Sequence, residues 1–176
     1  ALTNFFSQFN GDVAILYRMN AQSRTIEEIF LHYGIPYKLV GGVRFYDRKE
    51  VKDVLSYISY LSNQQDAAAL KRIQKLGKRR FEEFEFYRQE FNEANYAEKK
   101  ETINIIDEVL KRSGYLERYD TEDSEDRARL ENIKELRSVA IEFPDLIQFL
   151  ENVALVEQEY MPDGQIEIEN DDAVTL

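Results

Sequence analysis

The sequence predicts an α/β unit on a small parallel sheet joined to an all-α unit, with helix predominating overall. Three observations carry this. Two short runs of strand formers, Val13-Ala14-Ile15-Leu16-Tyr17 and Tyr37-Lys38-Leu39-Val40, alternate with segments of helical period, the order of elements in a parallel sheet. After Asn63 strand signals vanish for about a hundred residues while helical patterns continue. One strand-like run, Ala173-Val174-Thr175-Leu176, then returns. Three parallel strands leave exposed edges, so the segment reads as a piece of a larger protein.

The elements follow in order. Val13–Tyr17, preceded by Gly11-Asp12, reads as a buried strand. A helix from about Asn20 to Tyr33 presents Ile26, Ile29, Phe30 and Tyr33 on one face, with Asn20 or Ser23 as its cap and Gly34 and Pro36 as its stop. Tyr37–Val40 ends in Gly41-Gly42, and Val51, Val54, Leu55, Ile58 and Leu61 mark an amphipathic helix from Arg48 to about Ser62. Asp66 to Leu76 is helical, and Phe81, Phe84 and Tyr87/Arg88 repeat at helical spacing up to about Phe91. Thr102 caps a helix carrying Ile106, Val109 and Leu110, which Gly114 ends. A long helix from about Glu125 to Glu142 turns Leu130, Ile133, Leu136 and Ala140 inward, and Pro144 starts another with Ile147, Leu150, Val153 and Ala154. Met161-Pro162-Asp163-Gly164 is a turn, followed by an acidic, exposed stretch from Gln165 to Asn170.

The apolar fraction of 43%, with three prolines and seven glycines, fits a folded chain rather than a disordered one. With no cysteine, disulfides and thiolate metal sites are excluded, and a reducing cytoplasm is the expected location. No apolar run is long enough to span a membrane, and Ala1-Leu2-Thr3-Asn4 lacks the features of a signal peptide. The net charge of −11 conceals a split: residues 1–100 carry 16 Lys/Arg against 13 Asp/Glu, residues 101–176 carry 7 against 21. Such asymmetry points to two units with different surfaces, and the acidic one repels nucleic acid.

Two segments carry a family resemblance. Leu16-Tyr17-Arg18-Met19-Asn20-Ala21-Gln22-Ser23-Arg24 is similar to the fourth conserved motif of UvrD/Rep/PcrA-type superfamily 1 DNA helicases, in which a Tyr-Arg pair faces the nucleotide. Gly41-Gly42-Val43-Arg44-Phe45-Tyr46-Asp47-Arg48-Lys49-Glu50-Val51-Lys52-Asp53 resembles the glycine turn and helix that follow in that family. Arg112-Ser113-Gly114-Tyr115-Leu116 and Ala128–Leu136 resemble its helical insert, and Asp171–Leu176 the strand before its fifth motif. The matches occur in family order from about residue 12 onward. The resemblance implies a partial RecA-like motor domain: residues 1–100 its first half, 101–170 a shortened inserted subdomain, 171–176 a returning strand. It further implies an ATP-dependent 3′-to-5′ DNA helicase using ATP and Mg²⁺, acting on single-stranded and duplex DNA in repair or replication.

On this reading Tyr17 covers the base and Arg18 binds phosphate oxygens from the carboxyl end of a strand, where ligands of α/β sheets bind. A guanidinium there stabilises transition-state charge. Arg72, Lys75, Lys78, Arg79 and Arg80, next to Phe81, Phe84 and Phe86, are candidates for DNA contact, as are Arg44 and Arg48 beside the glycine turn. Where the family carries a Pro-x-Arg-Gly-Ile-Gly-like stretch, this chain has Gln74-Lys75-Leu76-Gly77-Lys78-Arg79-Arg80. That difference, with the short insert, weighs against the family's duplex-contacting role.

The sequence holds no phosphate-cradling Gly-x-x-x-x-Gly-Lys-Ser/Thr loop and a single histidine, His32, which reads as a surface residue. Alone, the chain is therefore expected to be inactive and to hold no bound cofactor or metal. Residues 101–170, with 7 Lys/Arg against 19 Asp/Glu, are expected to fold without affinity for duplex DNA. Arg127, Arg129, Lys134 and Arg137 share a helix face only in part there. The alternative function is a helicase-derived, non-catalytic module whose acidic half binds a protein partner.

Overall fold

A computed structural model describes residues 13–93, 100–160 and 173–176. The helices are α1 (Ser23–His32), α2 (Lys49–Ser62), α3 (Ala67–Gln74), α4 (Lys78–Glu93), α5 (Thr102–Arg112), α6 (Ser124–Glu142) and α7 (Leu146–Tyr160). Strands β1 (Tyr37–Lys38) and β2 (Val174–Thr175) pair in parallel, and 3₁₀ turns lie at Asn20–Gln22, Phe45–Asp47 and Tyr115–Arg118. The chain packs as two compact units, residues 1–48 with 153–176, and residues 49–152. Of the expected first unit, residues 49–93 pack within the second compact unit. The expected turn at Met161–Gly164 and the stretch Gln165–Asn170 lie outside the described residues.

In the α/β unit the returning strand is central. β2 pairs with β1 on one side and forms a parallel bridge with Ala14 on the other. Ile15 N donates to Thr175 O at 2.8 Å, Leu176 N to Lys38 O at 2.8 Å and Val40 N to Leu176 O at 2.9 Å. Val13–Tyr17 is therefore an edge segment with a single bridge rather than a full strand. Phe30, Ile35, Val174 and Leu176 form the core, with Val13, Ile15, Tyr17, Ile26, Tyr37 and Leu39 packed on it. The interior face of α1 differs from expectation: Ile29 and Tyr33 are exposed, and Ser23, Arg24 and Glu27 are buried with Phe30. Neither Asn20 nor Ser23 caps by its side chain. Gly34 leaves the helix at φ +61°, where only glycine avoids strain.

The helical unit is organised around α2, whose Val51, Val54, Leu55, Ile58 and Leu61 are all buried as the period predicts. The ring of Tyr57 meets Phe84 of α4 at 4.8 Å and Tyr115 at 6.2 Å, both edge-on, the geometry that ring quadrupoles favour. Asp66 caps α3 by accepting from Ala69 N at 2.9 Å. Thr102 does not cap α5. Its hydroxyl and its N–H both donate to Pro144 O, tying α5 to the start of α7. On α7 the buried positions are Leu146, Phe149 and Val153, whereas Ile147 and Ala154 face out. No helix among the described residues is long and apolar enough to cross a membrane.

Burial pushes the Tyr57 phenol up to about 12 and lifts Tyr115 and Tyr119 above the ordinary phenol range. These groups keep protons that the unfolded chain loses above about pH 10. The unit should hold its full stability below about pH 10 and lose it as pH climbs toward the folded values. Urea midpoints followed by circular dichroism should stay level to about pH 10 and then fall, and Tyr57→Phe should make that fall shallower.

Candidate nucleotide-facing site

The parallel order brings three carboxyl ends together: Tyr17-Arg18, Val40-Gly41 and Leu176. Arg18 follows the edge segment directly, and its backbone is fastened locally. The Gln22 side-chain oxygen accepts from Arg18 N at 3.2 Å and from Met19 N at 3.0 Å. A glutamine three residues ahead can close the turn only if Met19 stays extended, as it does at φ −117°, ψ 133°. Arg18 is exposed, and among the described residues no carboxylate pairs with it.

Tyr17 is half-buried against the core, and its hydroxyl lies 4.0 Å from where a side chain on Gly42 would begin. Gly41 turns at φ +74°, a backbone conformation that favours glycine. Leu16 is 96% exposed, and Met19, Val40 and Val43 are also exposed. These exposed apolar side chains neighbour Arg18 and the glycine turn along the chain, and among the described residues no carboxylate neutralises the guanidinium.

The two motif segments are joined behind this edge by buried polar contacts that the sequence reading did not foresee. Arg48 donates from Nη2 to Ser23 Oγ at 2.8 Å and from Nε to Val43 O at 3.2 Å, while Ser23 Oγ donates to Glu27 Oε1 at 2.6 Å. Tyr46 Oη donates to Glu28 at 2.9 Å, and Arg24 bridges the same carboxylate at 2.7 Å. The available signal was the overlap of two pairs at four-residue spacing, Ser23/Glu27 and Arg24/Glu28, on one side of a short helix. At 8% exposure, Arg48 is a tie between α1 and the glycine turn, not a surface cation for DNA. Arg48→Ala should cost the α/β unit roughly 2–4 kcal/mol, since it strands buried acceptors of a charged donor. Hydrogen exchange of the α1 amides should accelerate accordingly, and unchanged protection would refute the tie.

The remaining basic candidates divide. Arg44 is half-buried beside the turn. In the helical unit Arg72 is bound to Asp53 at 2.7 Å and to Lys49 O, and Arg80 donates to Gly114 O at 3.3 Å. Lys75, Lys78 and Arg79 are exposed, the last two in long surface contacts with Glu82 (3.7 Å) and Glu117 (3.3 Å) that contribute little. Phe84 is core rather than a stacking platform, and Phe86 is exposed.

Comparison with known proteins agrees with this arrangement of motifs. A family model described as the UvrD-like helicase C-terminal domain matches residues 4–90. The ATP-dependent DNA helicase PcrA of Staphylococcus epidermidis is 36% identical over 192 aligned residues, covering 83% of this chain and 26% of that protein. The PcrA of Staphylococcus aureus is 37% identical over 191, covering 82% and 26%. The chain spans about a quarter of the length of the curated relatives it matches.

Proposed function

This chain belongs to the UvrD-like helicases, in their C-terminal region, and from that premise we propose that it supplies the nucleotide-facing arm of an ATP-dependent 3′-to-5′ DNA helicase. The α/β unit is the motor-domain part, and the helical unit, residues 49–152, is the inserted subdomain. Mg²⁺-ATP supplies the phosphoryl group whose transfer to water drives movement on DNA. Arg18 binds its phosphate oxygens, and Tyr17 covers its base. Among the described residues no group of three His, Cys, Asp or Glu side chains stands together that could hold a metal ion. The observation that carries the reading is an exposed, backbone-fastened guanidinium at the carboxyl edge of a parallel sheet, without a carboxylate partner among the described residues.

Lys75, Lys78 and Arg79 are the cations available for a phosphate backbone, since Arg72 and Arg80 are engaged inside the unit. The nucleotide role is tested on the intact enzyme with Tyr17→Ala. A base contact is similar in ground and transition states, so KM for ATP should rise several-fold, on the order of 1 kcal/mol, with kcat nearly unchanged. Steady-state phosphate release measures both constants, and an unaltered KM would remove Tyr17 from the site.

A further inference from the structure

Residues 101–170 hold only seven Lys and Arg against 19 Asp and Glu, yet four of those seven, Lys111, Arg127, Lys134 and Arg137, line one groove of the helical unit. Its volume is about 830 Å³, and it lies between α5, the Tyr115–Arg118 turn and α6. Helical spacing builds it, since Arg127, Leu130, Lys134 and Arg137 recur at three- and four-residue steps along α6. The floor is aliphatic. Leu110 and Ile133 are buried there, Leu116 is 41% exposed, and Leu130 is half-buried.

The cations differ in their engagement. Arg137 grips Asp107 through Nε at 2.6 Å and Nη2 at 2.8 Å, and Lys134 pairs with Glu131 at 2.6 Å. Lys111 and Arg127 are exposed and have no carboxylate partner among the described residues. An apolar trough with two free cations on its rim, set in an otherwise strongly acidic surface, is complementary to a ligand that is apolar along one stripe and anionic beside it.

We infer that this groove docks an amphipathic helix of a protein partner, one presenting aliphatic side chains flanked by Asp and Glu. Anchors at positions i, i+3, i+4 and i+7 fit such a trough, and the rim cations give register and encounter rate. A nucleic acid fits less well. None of the groove's lining residues is aromatic to stack a base, and its floor is aliphatic, which suits leucine side chains rather than a sugar-phosphate chain. The inference involves no nucleotide and is independent of Arg18.

The test uses the full 176-residue chain and fluorescence anisotropy at about 0.15 M salt. The probe is a fluorescein-labelled peptide of about 15 residues with leucines on one helical face and glutamates beside them. A scrambled peptide of equal composition, a single-stranded oligonucleotide and a DNA hairpin serve as comparators. Binding is expected with Kd in the micromolar range, and about tenfold weaker for the scrambled peptide. Lys111→Glu combined with Arg127→Glu should weaken it by about tenfold or more. Leu116→Ser should do so as well, and all three sites are solvent-exposed, so thermal melts should match the parent chain. Absence of binding, equal binding of the scrambled peptide, indifference to the charge reversal, or displacement of the peptide by DNA would each overturn the inference.

Discussion

Replacing Arg18 by alanine in the intact enzyme is expected to lower kcat for ATP hydrolysis by roughly 10²–10⁴-fold, the range seen when a preorganised cation at a transferring phosphoryl group is lost. The magnitude rests on preorganisation. The turn that carries Arg18 is closed by Gln22, whose one side-chain oxygen takes two successive backbone donors. The helix that follows is pinned to the glycine turn through Ser23 and Arg48. Arg18 therefore starts from a fixed backbone, and no carboxylate among the described residues must be released before it meets phosphate. A surface arginine tied up in an ion pair would forfeit part of that gain. Arg18→Lys should recover only part of the loss, because a point charge cannot make the guanidinium's two parallel hydrogen bonds. Gln22→Ala should lower kcat less than Arg18→Ala, because it loosens the guanidinium without removing it. Single-turnover hydrolysis under saturating ATP measures all three. A kcat for Arg18→Ala within about threefold of the parent would place the arginine outside the site.

The architecture was legible wherever one face of an element is apolar and the other is not. On α2 every position of the apolar period is buried, although Glu50, Asp53, Tyr57 and Tyr60 are buried beside it, and on α4 the period finds Phe84 and Tyr87. The reading slipped where the physical premise fails. α1 turns a polar network inward, so an apolar stripe drawn through Ile29 and Tyr33 points at solvent. α7 is apolar around much of its circumference, which leaves its phase undetermined by periodicity. Its register is set by Asp145, whose side chain accepts from Gln148 N at 2.9 Å and whose carbonyl accepts from Phe149 N. Arg48 reads as a surface cation in sequence because nothing local announces Ser23, its partner 25 residues earlier. The groove cations were visible one helix at a time. Their convergence with Lys111 of α5 needs the packing of α5 on α6.

The largest stability effect is expected at Asp53. Its side chain is 2% exposed and accepts from Arg72 Nε at 2.7 Å and from Tyr115 Oη at 2.8 Å, with Arg118 Nη1 at 3.6 Å. Arg118 Nη1 is buried and finds no hydrogen-bond partner among the described residues, so the Asp53 charge and the Tyr115 ring 5.2 Å beneath its guanidinium are what offset its burial. Removing the carboxylate strips Arg118, whose Nη1 is buried, of its close counter-charge, while the Tyr115 hydroxyl keeps Tyr119 Oη at 2.8 Å. Deleting one partner of such a cluster costs about 3–5 kcal/mol, a large share of the roughly 5–15 kcal/mol that holds a domain together. The melting temperature of Asp53→Ala should fall by about 12 °C or more. Arg72 lies partly in solvent, so Arg72→Gln should cost only about 1 kcal/mol. The diagnostic is non-additivity. Because the cost of Asp53→Ala comes mainly from an uncompensated Arg118, adding Arg118→Met should return part of the lost stability rather than deepen the loss. Urea unfolding of the two single variants and the double variant closes the cycle. A double variant less stable than Asp53→Ala would show that packing, not the stranded charge, sets the cost.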